Sequence, residues 1–417
     1  MTGPNGRSFD LSERTIVSIE GASLAREPHP LRPAGGRDLP DRHRAPSFPC
    51  QARSGGLLPP PADFLTPIRR SVRGAVESTT LDRCSRVEIA KAIVLTGRTA
   101  DDRPWPSVKV GPKQLVPVAN RPILFHNLEA LSRGNVLEAV IALEPECAPS
   151  IRDAVGDGSR WGLRVHYSAW HPASGVPGAL AAAERFIADE PVLVEHADTL
   201  LQERIQPHIA AFARERLDAL TLRLPAGRIS SHEEPAGGYM LSPRATSILL
   251  EHAEPASDPP DTVRRHGGSV GVQQINGCLP CHGGQDQLLG GNRRTLEMLR
   301  GAVDPAAYPT CEFQGPAVVH PTAELEHTLV RGPVVIGPHC RLSHAYIGPY
   351  TSIGEDVVIE GTQIEHSIVL AGAALRYVGT RLETSVIGRH ARVSRSLSVL
   401  PSAMRLSVGD AAEVTLS

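Results

Sequence analysis

In the last quarter of the chain an aliphatic residue returns at what reads as a six-residue period. Ile347-Gly348, Ile353-Gly354 and Ile359-Glu360 carry it; Ile336-Gly337 and Leu342 precede them, and Ile364, Ile368 and Val386-Ile387-Gly388 follow less regularly. An aliphatic residue at that step, followed by a small or polar one, fits a coil of short parallel strands whose aliphatic side chains stack inside. The competing reading is an ordinary β-sandwich with coincidental spacing.

Upstream the pattern is different. Ala90 to Leu95, Val136 to Leu143, Leu163 to Tyr167 and Pro191 to Glu195 read as strands, and Ile123 to Leu131, Pro149 to Val155 and Gly178 to Ile187 as helices. Strands alternating with helices at this spacing imply right-handed crossovers and a mostly parallel, Rossmann-like sheet covered on both faces. Ligands bind such sheets beyond the carboxyl ends of the strands. The loop after Leu95 and the turn after Glu195 are therefore the expected site.

Residues 1–86 are rich in Pro, Arg, Ser and Gly, include Pro59-Pro60-Pro61, and show no period of either kind. They read as a disordered extension, or as residues upstream of a natural start near Val87. The expected division is 1–86 for the extension, 87–310 for the α/β domain and 311–417 for the coil. At 417 residues, 41% hydrophobic and 21% charged, the chain is long enough for cores in two or three units.

A net charge of −2 gives no general attraction to nucleic acid or to an anionic membrane, so phosphate binding has to be local. No apolar run reaches the roughly 20 residues of a membrane span, and Met1 to Glu20 lack the apolar core of a secretory signal. A soluble, cytoplasmic protein is expected. Seven scattered cysteines make no disulfide framework, and reduced thiols are expected.

One segment carries chemistry: Gly111-Pro112-Lys113-Gln114-Leu115-Val116-Pro117-Val118, continuing through Ala119-Asn120-Arg121 to Pro122-Ile123. A lysine beyond a strand and a loop is where an α/β protein can hold a nucleotide phosphate. This segment closely resembles the sugar-1-phosphate nucleotidylyltransferases, whose pattern is a strand, Gly-Gly-x-Gly-Thr-Arg-Leu-x-Pro, a spacer, then a lysine with Gln-Leu-x-Pro-Val and Pro-Ile. With the repeat near the C-terminus, the chain looks like the long form of the glucose-1-phosphate thymidylyltransferases, from about Lys91 to Ser396. The resemblance implies a nucleotidyltransferase domain followed by a left-handed parallel β-helix of hexapeptide-type repeats that takes part in subunit contacts, and so a homo-oligomer. It also implies a reaction: a sugar-1-phosphate oxygen attacks the α-phosphorus of a nucleoside triphosphate and expels pyrophosphate, with Mg²⁺ as cofactor.

The resemblance assigns residues one by one. Arg103 and Pro106 fall where the family has its phosphate-contacting arginine and loop proline, and Lys113 and Gln114 keep the family register. Arg103 and Lys113 are the catalytic candidates; Lys113 has an ordinary surface lysine as its alternative. Gly97 matches the first loop glycine, but Arg98 and Ala100 stand where further glycines would be, and Asp101 and Asp102 add negative charge. Glycines there let backbone N–H groups approach phosphates.

Gly175 takes the place of the glycine opening the next helix. Trp170 replaces a base-reading glutamine; it can stack on a base or serve as packing, but it has no amide to pair with a base edge. Asp198, in Ala197-Asp198-Thr199-Leu200-Leu201, matches the metal-holding aspartate, with helix capping as its alternative. For the sugar, Gly237 and Glu233 are the candidates, and Glu234 stands where the family has lysine.

In Gly277-Cys278-Leu279-Pro280-Cys281-His282-Gly283 the second metal-binding aspartate is replaced by Cys281, a poor ligand for Mg²⁺. Cys278, Cys281 and His282 admit three readings: c-type haem attachment, a softer metal such as zinc, or plain thiols. Two functions are compatible with these residues. One is a nucleotidylyltransferase homologue with altered or reduced activity. The other is a non-catalytic protein that binds nucleotide or nucleotide-sugar and assembles with an active paralogue.

Overall fold

The central strand β1 (Lys91–Leu95) is apolar from its second residue onward because both of its faces are covered. Ala92 and Val94 enter one apolar cluster and Ile93 and Leu95 the other, which is the composition a doubly buried strand requires. The computed structural model describes residues 89–97, 112–223, 237–254, 257–275, 278–280 and 284–395, all within one unit of the chain. The expected extension 1–86 lies outside the described residues.

Six further strands join β1: β2 (Glu138–Leu143), β3 (Arg164–Ala169), β4 (Val192–His196), β5 (Ala219–Arg223), β6 (Gly238–Leu241) and β7 (Val270–Gln274). Their order across the sheet is β7-β5-β6-β4-β1-β2-β3. Every pairing is parallel except those of β6, which runs antiparallel to both β4 and β5. Helices Ile123–Arg133, Ala148–Val155 and Gln206–Arg214 cover one face; Gly175–Ala182, Pro243–His252 and Pro259–Arg265 cover the other. The helix expected over Gly178 to Ile187 is two, Gly175–Ala182 and Glu184–Ile187. Ala183, at φ −112° and ψ 9°, leaves helical geometry between them.

β2 and β3 lie to one side of β1, and β4 to the other. The chain therefore reverses its direction across the sheet at β1, and the crevice beyond the carboxyl ends of β1 and β4 is where such a sheet takes a ligand.

From Glu312 to Ser394 the strands form three five-stranded sheets, every neighbour parallel, and the chain visits the three in rotation. This excludes the β-sandwich, whose pairings are antiparallel. Ile336, Leu342, Ile347, Ile353, Ile359 and Ile364 are all buried inside. The period is not strictly six: Glu312 pairs with Leu329 and Leu329 with Tyr346, 17 residues on each time. One leg is a residue short, as between Leu342 and Ile347. The later pairs Ile364 to Leu382 and Ile368 to Val386 advance 18.

Candidate functional site

At the end of β1 the backbone is fixed by hydrogen bonds around Thr96. Its hydroxyl donates to the Ala142 carbonyl at 2.8 Å and accepts the Glu144 N–H at 3.3 Å. The buried Gln114 donates from Nε2 to the Thr96 carbonyl, while its Oε1 is buried without a partner among the described residues. Lys113 opens the short helical turn Lys113–Leu115 directly before that glutamine. Gly97 is closely packed: a Cβ there would lie 2.4 Å from Pro172 and 2.5 Å from Glu144 Oε1, so any larger residue would have to push these side chains aside. Residues 98–111, Arg103 among them, lie outside the described residues.

β4 ends beside the same edge. The Ala197 N–H donates to the Leu95 carbonyl at 2.8 Å, which places the buried Asp198 one residue beyond the switch point. Asn127, on the helix behind, donates to the His196 and Ala197 carbonyls at 3.3 and 3.4 Å and accepts the Leu201 N–H at 3.3 Å. Asp198 is thus held on a turn fixed from both sides. It does not cap the next helix, which starts at Gln206 behind Ile205.

Three residues before Asp198, Glu195 is 4% exposed, with Val94 and Gly238 as its register neighbours. Its Oε1 has no partner among the described residues, and burial alone pushes its carboxyl up to about 8. At neutral pH that burial favours the neutral carboxylic acid over the carboxylate. No spacing rule announced it; the one signal was a charged residue directly following the apolar run Val192-Leu193-Val194 within the same strand.

The expected base-reading residues bond to groups other than those around Thr96 and Ala197. Trp170 is buried, and its indole N–H donates to the Gly175 carbonyl at 3.0 Å. Gly175 begins its helix with φ at +60°. Gly237 donates its N–H to the Leu222 carbonyl at 2.7 Å where β6 begins, and Glu233 lies outside the described residues. The backbone of Cys278–Pro280 pairs antiparallel with Thr199–Leu201, so this strand runs alongside the Asp198 turn. Cys281 and His282 lie outside the described residues. Asp286, in the first turn of helix Gln285–Glu297, is exposed. Among the described residues no group of three or more His, Cys, Asp or Glu is placed to hold a metal, and no helix is long and apolar enough to cross a membrane.

Beyond Lys113 the chain makes a tight hairpin, Pro117–Val118 paired with Arg121–Pro122. Its two turn residues, Ala119 and Asn120, have φ of +48° and +62°. Such a turn favours Asn-Gly, and an alanine in the left-handed region costs roughly 1–2 kcal/mol. Contacts from outside hold it. Asn292 Oδ1 accepts the Ala119 N–H at 2.9 Å, and Asn120 Nδ2 donates to the Ile353 carbonyl in the coil at 2.6 Å. Val116, Val118 and Ile123 from this segment, Leu200 from the Asp198 turn, Leu288 from helix Gln285–Glu297, and Ile368 and Leu370 from the coil share one apolar cluster.

Residues 91–240 match the family model described as nucleotidyl transferase. Across 357 residues the chain is 31% identical to a glucose-1-phosphate thymidylyltransferase of Streptomyces griseus, covering 78% of this chain and 99% of that protein. It is 28% identical over 358 residues to a Streptomyces antibioticus protein of the same name, with the same coverage. A further relative is the low-salt glycan biosynthesis nucleotidyltransferase Agl11 of Haloferax volcanii, 27% identical over 361 residues, covering 78% of this chain and all of that one.

Proposed function

We propose a function whose premise is descent: the chain belongs to the sugar-1-phosphate nucleotidyltransferase family, as a homologue of the glucose-1-phosphate thymidylyltransferases. On our reading it transfers a nucleotidyl group from a nucleoside triphosphate to a sugar-1-phosphate and releases pyrophosphate, more slowly than a member with the full family motif. The observation that carries this is the convergence of Gly97, the Lys113–Gln114 turn and Asp198 on one sheet edge, Gln114 tied to Thr96 and Ala197 tied to Leu95.

In this mechanism Gly97 and Gln114 border the triphosphate. Lys113 and Arg103 supply positive charge where negative charge develops on the phosphoryl oxygens and the departing pyrophosphate. The sugar phosphate is its own nucleophile, so the protein's task is alignment and neutralisation. Asp198 is the residue that would hold Mg²⁺. One buried carboxylate plus substrate phosphates suits that ion, and it would supply further neutralisation of the phosphates. Gly237 and Glu233 border the sugar. The same reading takes the coil as a left-handed β-helix of hexapeptide type that contacts other subunits in a cytoplasmic homo-oligomer, with domains at 87–310 and 311–417.

Base selection is the weakest part of this site. Trp170 spends its one donor on Gly175, and with Gly175 it can offer a base only a face and a backbone. Titration calorimetry with Mg²⁺ and each common nucleoside triphosphate should therefore show binding through the phosphates, with affinities spread less than about tenfold across the bases. Heatless titrations with every nucleotide would contradict the reading.

A second reading, favoured by the same Trp170 packing, is a non-catalytic nucleotide-binding member that assembles with an active paralogue. Binding without turnover would select it.

A further inference from the structure

We infer that Asn292 is a positioning residue of the nucleotide site, fastening the hairpin after Lys113 to the coil so that the coil sets where the phosphate-binding segment lies. This inference rests on the nucleotidyl-transfer reading. Asn292 is fully buried, and its amide makes three hydrogen bonds to residues far along the chain. Its Oδ1 accepts the Ala119 N–H at 2.9 Å and the Ser352 hydroxyl at 2.5 Å, and its Nδ2 donates to the Tyr350 carbonyl at 3.0 Å. One side chain thereby joins the Lys113 segment, helix Gln285–Glu297 and one turn of the coil. Asn120 makes a second tie one residue along, to the Ile353 carbonyl.

The hairpin needs such ties because its own sequence does not favour its shape. Two successive left-handed residues without a glycine persist only when the surroundings impose them. Here the surroundings are the coil and the helix that docks on it. An apolar residue of similar size at position 292 would fill the space but take the partner from the half-buried Ala119 N–H and Tyr350 carbonyl and from the buried Ser352 hydroxyl. The shared apolar cluster extends the effect to the second charge, since Leu200 lies two residues beyond Asp198. A displacement of about 1 Å at a reacting group can cost on the order of 10²-fold in rate. The coil is therefore part of the nucleotide site's scaffold.

The test uses the full chain and three variants, Asn292→Ala, Asn292→Asp and Ser352→Ala, followed by amide hydrogen exchange and by steady-state kinetics with Mg²⁺, a nucleoside triphosphate and a sugar-1-phosphate. Asn292→Ala should speed exchange at Ala119 at least tenfold and lower kcat ten- to a hundredfold, with KM changed by less than about threefold. Asn292→Asp keeps the acceptor for Ala119 and should restore most of that amide's protection. Ser352→Ala should move both readouts the same way by a smaller factor, and it decides the matter if Asn292→Ala does not fold. The inference is overturned if folded variants leave Ala119 exchange and kcat unchanged, or if faster exchange is confined to residues 346–353 of the coil. Absence of turnover in the unsubstituted chain counts against the transfer reading instead, and the exchange measurements then decide the role of Asn292 alone.

Discussion

Asp198→Asn lowers Mg²⁺-dependent pyrophosphate release by about 10²- to 10³-fold, the loss expected when one preorganised group that offsets transition-state charge is removed. The substitution is nearly isosteric, and the turn it sits on is secured by backbone bonds from Ala197 to Leu95 and by the Asn127 amide. The fold should therefore survive, and the change should appear in kcat and in the Mg²⁺ concentration needed for half-maximal rate. Two features make the site sensitive. On the family resemblance Cys281 takes the second acidic position, and Asp286, the nearest alternative carboxylate in the sequence, is exposed on the first turn of its helix. Neither is a ready substitute for Asp198. A variant that keeps more than half of the unsubstituted rate at every Mg²⁺ concentration would remove Asp198 from the mechanism.

Glu195→Gln removes a pH dependence of stability. In the folded chain the Glu195 carboxyl holds its proton up to about pH 8 because burial penalises the charged form. In the unfolded chain it loses the proton near its ordinary value of 4.5. Below that value the group is neutral in both states and costs nothing through its charge. As pH rises from 4.5 towards 8, unfolding releases a proton, so stability falls across that window and levels off above it. Each pH unit within the window costs about 1.4 kcal/mol, and the whole loss is on the order of 5 kcal/mol. Glutamine is neutral throughout, so its contribution should stay flat. Urea midpoints at pH 5 and pH 8.5 measure this: the variant should match the parent within about 1 kcal/mol at pH 5 and exceed it by several at pH 8.5. Parallel curves for the two proteins would show that Glu195 is ionised in the fold.

The parts of this fold that depend on local pattern were legible. An apolar run as short as Ala92 to Leu95 signals a strand covered on both faces, and the alternation through Val194 places Leu95 and Asp198 at the same edge of the sheet. The repeating aliphatic residues of the coil from Ile336 to Ile368 were legible as interior residues for the same reason, since each one is buried by the turns above and below it, whereas Val386 and Ile387 near its end are half-buried. What the period concealed was the short leg. Stacking constrains which residues face inward, but a corner can lose a residue without disturbing that, as between Leu342 and Ile347.

The remaining features are tertiary. β6 (Gly238–Leu241) runs against its neighbours, and Gly238 lies so close to β4 that a Cβ would come 2.7 Å from the Val194 carbonyl. Nothing within Gly237-Gly238-Tyr239-Met240-Leu241 states its direction. Glu195 is raised by burial, which only packing reveals. The importance of Asn292 comes from Ala119, Tyr350 and Ser352, residues far from it along the chain. Trp170 could have stacked on a base or packed; its hydrogen bond to Gly175 is visible only in the fold.

What this protein does turns on whether the charges at this edge still perform transfer. The direct measurement is pyrophosphate release by the full chain with Mg²⁺, a panel of nucleoside triphosphates and a panel of sugar-1-phosphates, alongside Lys113→Ala. Release that requires both substrates, and that falls at least a hundredfold in Lys113→Ala, is the predicted result. Release no greater than that of Lys113→Ala with every substrate pair would contradict it.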